Sequence, residues 1–137
     1  MISKPAAEAE KDQFSRIGIA CFLAWLVPGA GHLYLRKYWH AAVYFFSVTA
    51  LVVVGVLLQG EMHSLLRANS GEGFLQWLAA LGNVALGGYH LLMQALGLAL
   101  GDVTVRNYEY GTTFIIVAAL INLLVVLDAF DHARGVK

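Results

Sequence analysis

Asp128 and His132 lie four residues apart near the C-terminal end of the sequence. On a helix that spacing puts a carboxylate and an imidazole on one face, one turn apart with Asp131 beside them, and such a pair can act as acid and base. The same residues also suit the interfacial end of a membrane helix, where Asp128 is no longer deep and His132 complements the negative end of the helix dipole. No serine, cysteine or second carboxylate stands at fixed spacing to complete a mechanism, so no catalytic residue is assigned. His90 lies in an apolar stretch, where a neutral imidazole can relay a proton or ligate a metal or tetrapyrrole. His32, His40, His63 and His132 are scattered, and no pair has ligand spacing with a third ligand in reach on the same helix. Neither a metal site nor a cofactor is therefore expected. A phosphate-cradling glycine loop followed by lysine and a His-Glu-x-x-His pair are also missing from the sequence.

A second group is defined by spacing. Asn83, Gly87, His90, Gln94, Gly97 and Gly101 recur at intervals of 4, 3, 4, 3 and 4, which makes one stripe of polar and small side chains on a helix. Such a stripe faces protein, because small residues let helix backbones approach and amides or imidazoles hydrogen-bond across helices. Asn122, in the last apolar segment, is the expected partner across the bundle. The stripe reads as packing within the bundle or between protomers; if it were wet, it would read as a transport or proton path.

The elements that carry these residues are set by hydropathy. The chain has 137 residues, 59% hydrophobic and 13% charged, with a mean hydropathy of +0.67, which excludes an ordinary soluble domain and describes an all-α integral membrane protein. Nine basic and nine acidic residues balance, so no nucleic-acid footprint is present and the expected partners are membrane lipids, other membrane proteins or a second copy. The only cysteine, Cys21, permits no intrachain disulfide.

About four hydrophobic segments follow within one helical membrane domain over residues 1–137. Residues 1–13 form a polar N-terminal helix extension, and the first apolar stretch, residues 17–27, is only about 16 Å long as a helix against a hydrocarbon core of about 30 Å. It is broken at Pro28 and Gly29, because proline lacks an N–H and clashes with the preceding turn. The segment either re-enters and turns back or needs residues 31–35 to complete a crossing. The hinge motif comprises Pro28, Gly29, Gly31, His32 and Tyr34, with Tyr34, Tyr38 and Trp39 suited to the headgroup level and Arg36 and Lys37 able to snorkel beside them. Residues 41–58 form the clearest span. The loop at 59–73 leads to a third helix over 74–100, about 40 Å long, which requires tilt, a protruding end or a kink at Gly87 and Gly88. A loop at 101–111 precedes a fourth helix capped by Thr112 or Thr113.

Basic residues leave the orientation open. If all four segments cross, Lys4, Lys11, Arg16, Arg67, Arg134 and Lys137 oppose Arg36, Lys37 and Arg106; if the first re-enters, the six become Lys4, Lys11, Arg16, Arg36, Lys37 and Arg106. Signal-peptide cleavage is not expected, since Pro28 spoils a cut after Ala30.

At Pro28-Gly29-Ala30-Gly31-His32-Leu33-Tyr34-Leu35 the chain resembles the two-transmembrane-helix domain family, whose hinge reads roughly Gly-x-His-x-Phe/Tyr-Tyr-Leu-Gly. It also resembles an uncharacterised bacterial family of small membrane proteins with a Pro-Gly-x-Gly-His hinge. Leu127-Asp128-Ala129-Phe130 is similar to the aspartate-bearing close of the last helix in those families. The chain has Arg36 and Ala41 where those families have glycine, and the likeness covers residues 14–58 and 108–133. The resemblance implies a bacterial membrane protein without established catalytic activity, with His32 and Asp128 as the shared polar positions.

The sequence thus favours a small polytopic protein of the bacterial inner membrane, acting as a structural or interaction module or as a subunit of a membrane assembly. The alternative is a lipid-handling or lipid-modifying enzyme with an interfacial site at His32, Asp128 and His132. A small transporter or proton path is the third reading.

Overall fold

The computed structural model describes residues 6–62, 73–74, 81–98 and 100–136. Its helices are α1 (Ala6–Leu26), α2 (Ala30–Tyr34), α3 (Tyr38–Leu57), α4 (Gly88–Ala95) and α5 (Tyr108–Ala133), with no strand among the described residues. Two of them, α3 and α5, are long and apolar enough to cross a membrane, and only 22% and 33% of their most apolar windows are buried within the chain. A soluble core helix would hide most of that surface. Here Trp39, Phe46, Leu57 and Leu124 stand exposed, as side chains facing lipid do.

α5 is the axis of the bundle. α3 runs antiparallel to it, with Tyr44 beside Asp128 at one end and Gly55 beside Gly111 and Ile115 at the other. α1 is also antiparallel to α5, since Gln13 and Arg16 flank His132 and Arg134 while Trp25 reaches Asn122. Two helices running the same way need a connection that carries the chain back, and α2 supplies it. The turn that begins it holds Gly29 at φ +85°, where an added Cβ would stand 2.3 Å from the Ala41 carbonyl oxygen. Only glycine fits there. Gly31 then lies against Ala20 and Ala24, so α2 folds back along α1 and does not extend it.

Helix ends close by hydrogen bonds that span five residues, from Lys37 to His32, Gly60 to Gly55, Leu98 to Met93 and Val136 to Asp131. The left-handed residue that each such end requires is Arg36, Gln59, Gly97 or Gly135. Arg36, at φ +60°, holds a left-handed backbone state that glycine enters more readily.

The third apolar segment departs from one continuous helix. It breaks in a turn at 85–87, and α4 then runs only from Gly88 to Ala95. The N-terminal end of α4 abuts the C-terminal end of α1 about midway along α5: an added Cβ on Gly87 would fall 1.8 Å from the Trp25 carbonyl oxygen, and one on Gly88 2.0 Å from that of Leu26. Backbone groups freed at this junction are met by side chains. The Trp25 indole donates to the Val84 carbonyl at 3.0 Å, and the Asn122 amide donates to the Ala85 carbonyl at 2.7 Å. Irregular backbone at membrane depth is tolerated only when protein satisfies it in this way.

α5 begins at Tyr108, earlier than a cap at Thr112 or Thr113 would place it. Thr112 is used otherwise, since its hydroxyl accepts the Glu61 backbone N–H at 3.0 Å. Of the loop expected at 59–73, residues 63–72, including His63, lie outside the described residues, as does part of the third segment at 75–80.

Candidate functional site

His32, Tyr44, Asp128 and His132 meet where α2, α3 and α5 converge. The hinge buries His32 completely, and its Nε2–H donates to Asp128 Oδ2 at 3.0 Å. The Tyr44 hydroxyl, from α3, donates to the same oxygen at 3.0 Å. One turn beyond, His132 donates from Nδ1 to the Asp128 backbone carbonyl at 2.9 Å and lies 3.5 Å from Oδ2. The rings pack as well as bond: His32 meets Tyr44 edge-on at a centroid distance of 4.9 Å and His132 at 5.4 Å. His40, exposed on α3, completes a group of three imidazoles, 6.2 Å from His32 and 5.6 Å from His132.

A carboxylate accepts hydrogen bonds and never donates them, which fixes the His32 tautomer with its proton on Nε2. Nδ1 is then a bare lone pair, buried and without a partner among the described residues. Protonation would create an N–H with nowhere to go. Burial accordingly pushes the His32 pKa below the ordinary imidazole value, although the Asp128 hydrogen bond and charge pull it up and His132 and His40 push it down. Between the lowered folded value and the unfolded value of about 6.5, the unfolded chain binds more protons, so the stabilisation is complete above about pH 6.5 and lost as pH falls below it. Thermal melts of the detergent-solubilised protein should move to lower temperature from pH 7 to pH 5, and His32→Gln should flatten that slope. A slope unchanged by the substitution would mean that another group titrates.

Beside the cluster runs a cleft of about 420 Å³, whose walls include Tyr44, Asp128 and Asp131 together with Ile121, Leu124 and Leu127. The cluster and the cleft therefore share Tyr44 and Asp128.

The other sequence candidates are distributed differently. In the hinge, Pro28, Gly29 and Gly31 are buried and form the turn that presents His32, whereas Tyr34 is exposed. Asn83, Gly87 and His90 are buried, and Asn122 lies against the same segment, but its contact is to the Ala85 backbone and not to another side chain of the stripe. Gln94 is exposed and donates its amide to His90 Nε2 at 2.9 Å. Gly97 ends α4 in the left-handed conformation with nothing within 4 Å of an added Cβ, so it is a helix terminator, not a packing contact.

Tyr44, His40 and Trp25 escaped the sequence reading as site or junction residues. Tyr44 did carry a signal, because a tyrosine inside an uninterrupted apolar run needs a hydrogen-bond partner for its hydroxyl.

No curated protein and no solved structure matches this chain. Residues 19–137, which contain the hinge, all three clustered imidazoles, Tyr44 and Asp128, match a family of unknown function, DUF6677, and the chain belongs to that family.

Proposed function

We propose that the protein is a polytopic membrane protein that handles a lipid or similar amphiphile at the Asp128 end of the bundle. The observation that carries this reading is the shared wall: one cleft joins the hydrogen-bonded carboxylate and tyrosine of the cluster to the apolar side chains of Ile121, Leu124 and Leu127. An amphiphile matches that division, with its head at Asp128 and Tyr44 and its tail along α5. Asp128 and His32 can hold and pass a proton at the head, while the cluster includes no serine or cysteine to act as nucleophile. Placement in the bacterial cytoplasmic membrane rests on the family resemblance of the hinge alone.

The topology that fits the helix directions has α3 and α5 crossing. α1 and the 81–98 segment then enter from opposite ends and meet near Asn122. This supports the re-entrant form of the first segment, because residues 9–16 and the start of α3 lie at the same end of α5.

Photo-crosslinking with a diazirine acyl lipid in nanodiscs tests the binding. Labelling should concentrate on α5 around Leu124 and Leu127. Leu124→Trp, which fills the cleft, and Asp128→Asn, which alters the head position, should each lower it about tenfold, equivalent to about 1.4 kcal/mol. Uniform labelling of all lipid-facing helices, unchanged by either substitution, would reject the reading.

A second reading, a subunit of a membrane assembly, is favoured by Gln94. Its side chain is exposed on α4 and its amide already gives one hydrogen bond to His90, so the groups left over would gain from a partner helix what lipid does not offer. A stoichiometric protein recovered with the gently solubilised chain, and lost with Gln94→Leu, would favour it. The transport reading needs Asn83 and His90 to be wet, and both are buried.

A further inference from the structure

We propose that His32, Asp128 and His132 bind a divalent first-row transition ion, with zinc as the ion to test first. One donor atom from each of the three lies within 4.8 Å of those of the other two, and His32 Nε2 and Asp128 Oδ2, 3.0 Å apart, lie near the edge of about 3.3 Å that a tetrahedron of 2.0–2.1 Å bonds has. Two imidazoles and one carboxylate are a donor set suited to zinc, iron or manganese, whereas magnesium and calcium favour all-oxygen sites.

The scaffold supports the assignment. Asp128 and His132 stand one turn apart on α5, the spacing by which a single helix presents two ligands to one ion. The third ligand arrives on a buried hinge held by Gly29 and Gly31, so it is positioned before any ion binds. His132 already donates from Nδ1 to the Asp128 carbonyl, an outer hydrogen bond of the kind that orients a ligating imidazole and leaves its other nitrogen available. His40, exposed and 5.6 Å from the His132 ring, is the third imidazole of the cluster and stands beside the three ligands.

The inference shares Asp128 with the amphiphile reading but does not depend on a lipid. It is tested on the full chain in nanodiscs, stripped with a chelator and titrated with cobalt and with zinc. Cobalt should give the visible absorption of a four-coordinate nitrogen and oxygen site at one equivalent, and zinc should displace it. Excess magnesium or calcium should not. His32→Ala and His132→Ala should each weaken zinc binding at least about 100-fold, while the exposed Asp102→Asn variant should match the parent protein. Absence of the cobalt spectrum from parent protein that still melts cooperatively would overturn the site, independently of whether any variant folds. Displacement by magnesium would overturn it as well. Lipid crosslinking on the same samples separates the two ideas: labelling without metal retires this inference alone, and metal without labelling retires the amphiphile reading alone.

Discussion

Gly87→Ala is expected to prevent the native packing of α1 against α4. The backbone at Gly87 has φ +57° and ψ −116°, a region that alanine enters at a cost of about 1–3 kcal/mol. The added methyl would also stand 1.8 Å from the Trp25 carbonyl oxygen, which is backbone and cannot swing aside. Either α1 withdraws or the turn at 85–87 reorganises, and in both cases the Val84 and Ala85 carbonyls lose their donors from Trp25 and Asn122. Leaving buried carbonyls unpaired costs about 1–3 kcal/mol each, so a total loss above about 3 kcal/mol is expected. Thermal unfolding in detergent measures it. Gly97→Ala is the matched control, because Gly97 also has a positive φ, +69°, but nothing within 4 Å of the added methyl. Equal losses in the two variants would show that the helix junction contributes nothing beyond backbone conformation.

Asp128→Ala should produce the other large effect. It removes the one acceptor on which the His32 Nε2–H and the Tyr44 hydroxyl converge, and His32 is wholly buried. Stranding the buried His32 donor, together with loss of the Tyr44 hydrogen bond to this oxygen, costs about 2–4 kcal/mol. The loss should appear as a loosened hinge. Proteolysis or cysteine accessibility at residues 35–37 should rise in Asp128→Ala, and the double variant with His32→Leu should recover part of the stability because it withdraws the stranded donor. If the double variant loses the sum of the two single losses, His32 and Asp128 are energetically independent and the 3.0 Å contact does not matter to folding.

Much of the helical frame could be read from the sequence, for physical reasons that differ by element. The 20-residue α3 and 26-residue α5 are long uninterrupted apolar runs, which need no tertiary information to be seen. Pro28 and Gly29 end α1 by local chemistry alone, and helical spacing placed Asp128 and His132 on one face. What spacing could not show is the meeting of His32 with Asp128, 96 residues away, which depends on the direction in which α2 folds back. Spacing along a single helix shows only Asp128 and His132, whereas His32 joins them from another element. Asn83, Gly87 and His90 are buried, but a single helical period does not run through a segment with a turn in its middle. Past that turn the phase no longer holds, so Gly97 falls at a helix end and Gln94 outside.

The abutting ends of α1 and α4 bear on how the chain enters the bilayer during synthesis. The apolar part of α1 and the eight residues of α4 each fall well short of the roughly 20 residues that make a segment stable in lipid by itself. α3 and α5 meet that length, so the insertion machinery would release these two laterally as independent spans. In the proposed topology the apolar part of α1 cannot be retained until α5 has emerged, since Asn122 lies midway along α5 and its amide reaches the Trp25 carbonyl. The first helix to be made would thus be among the last to settle, and truncation before residue 122 should leave it at the membrane surface.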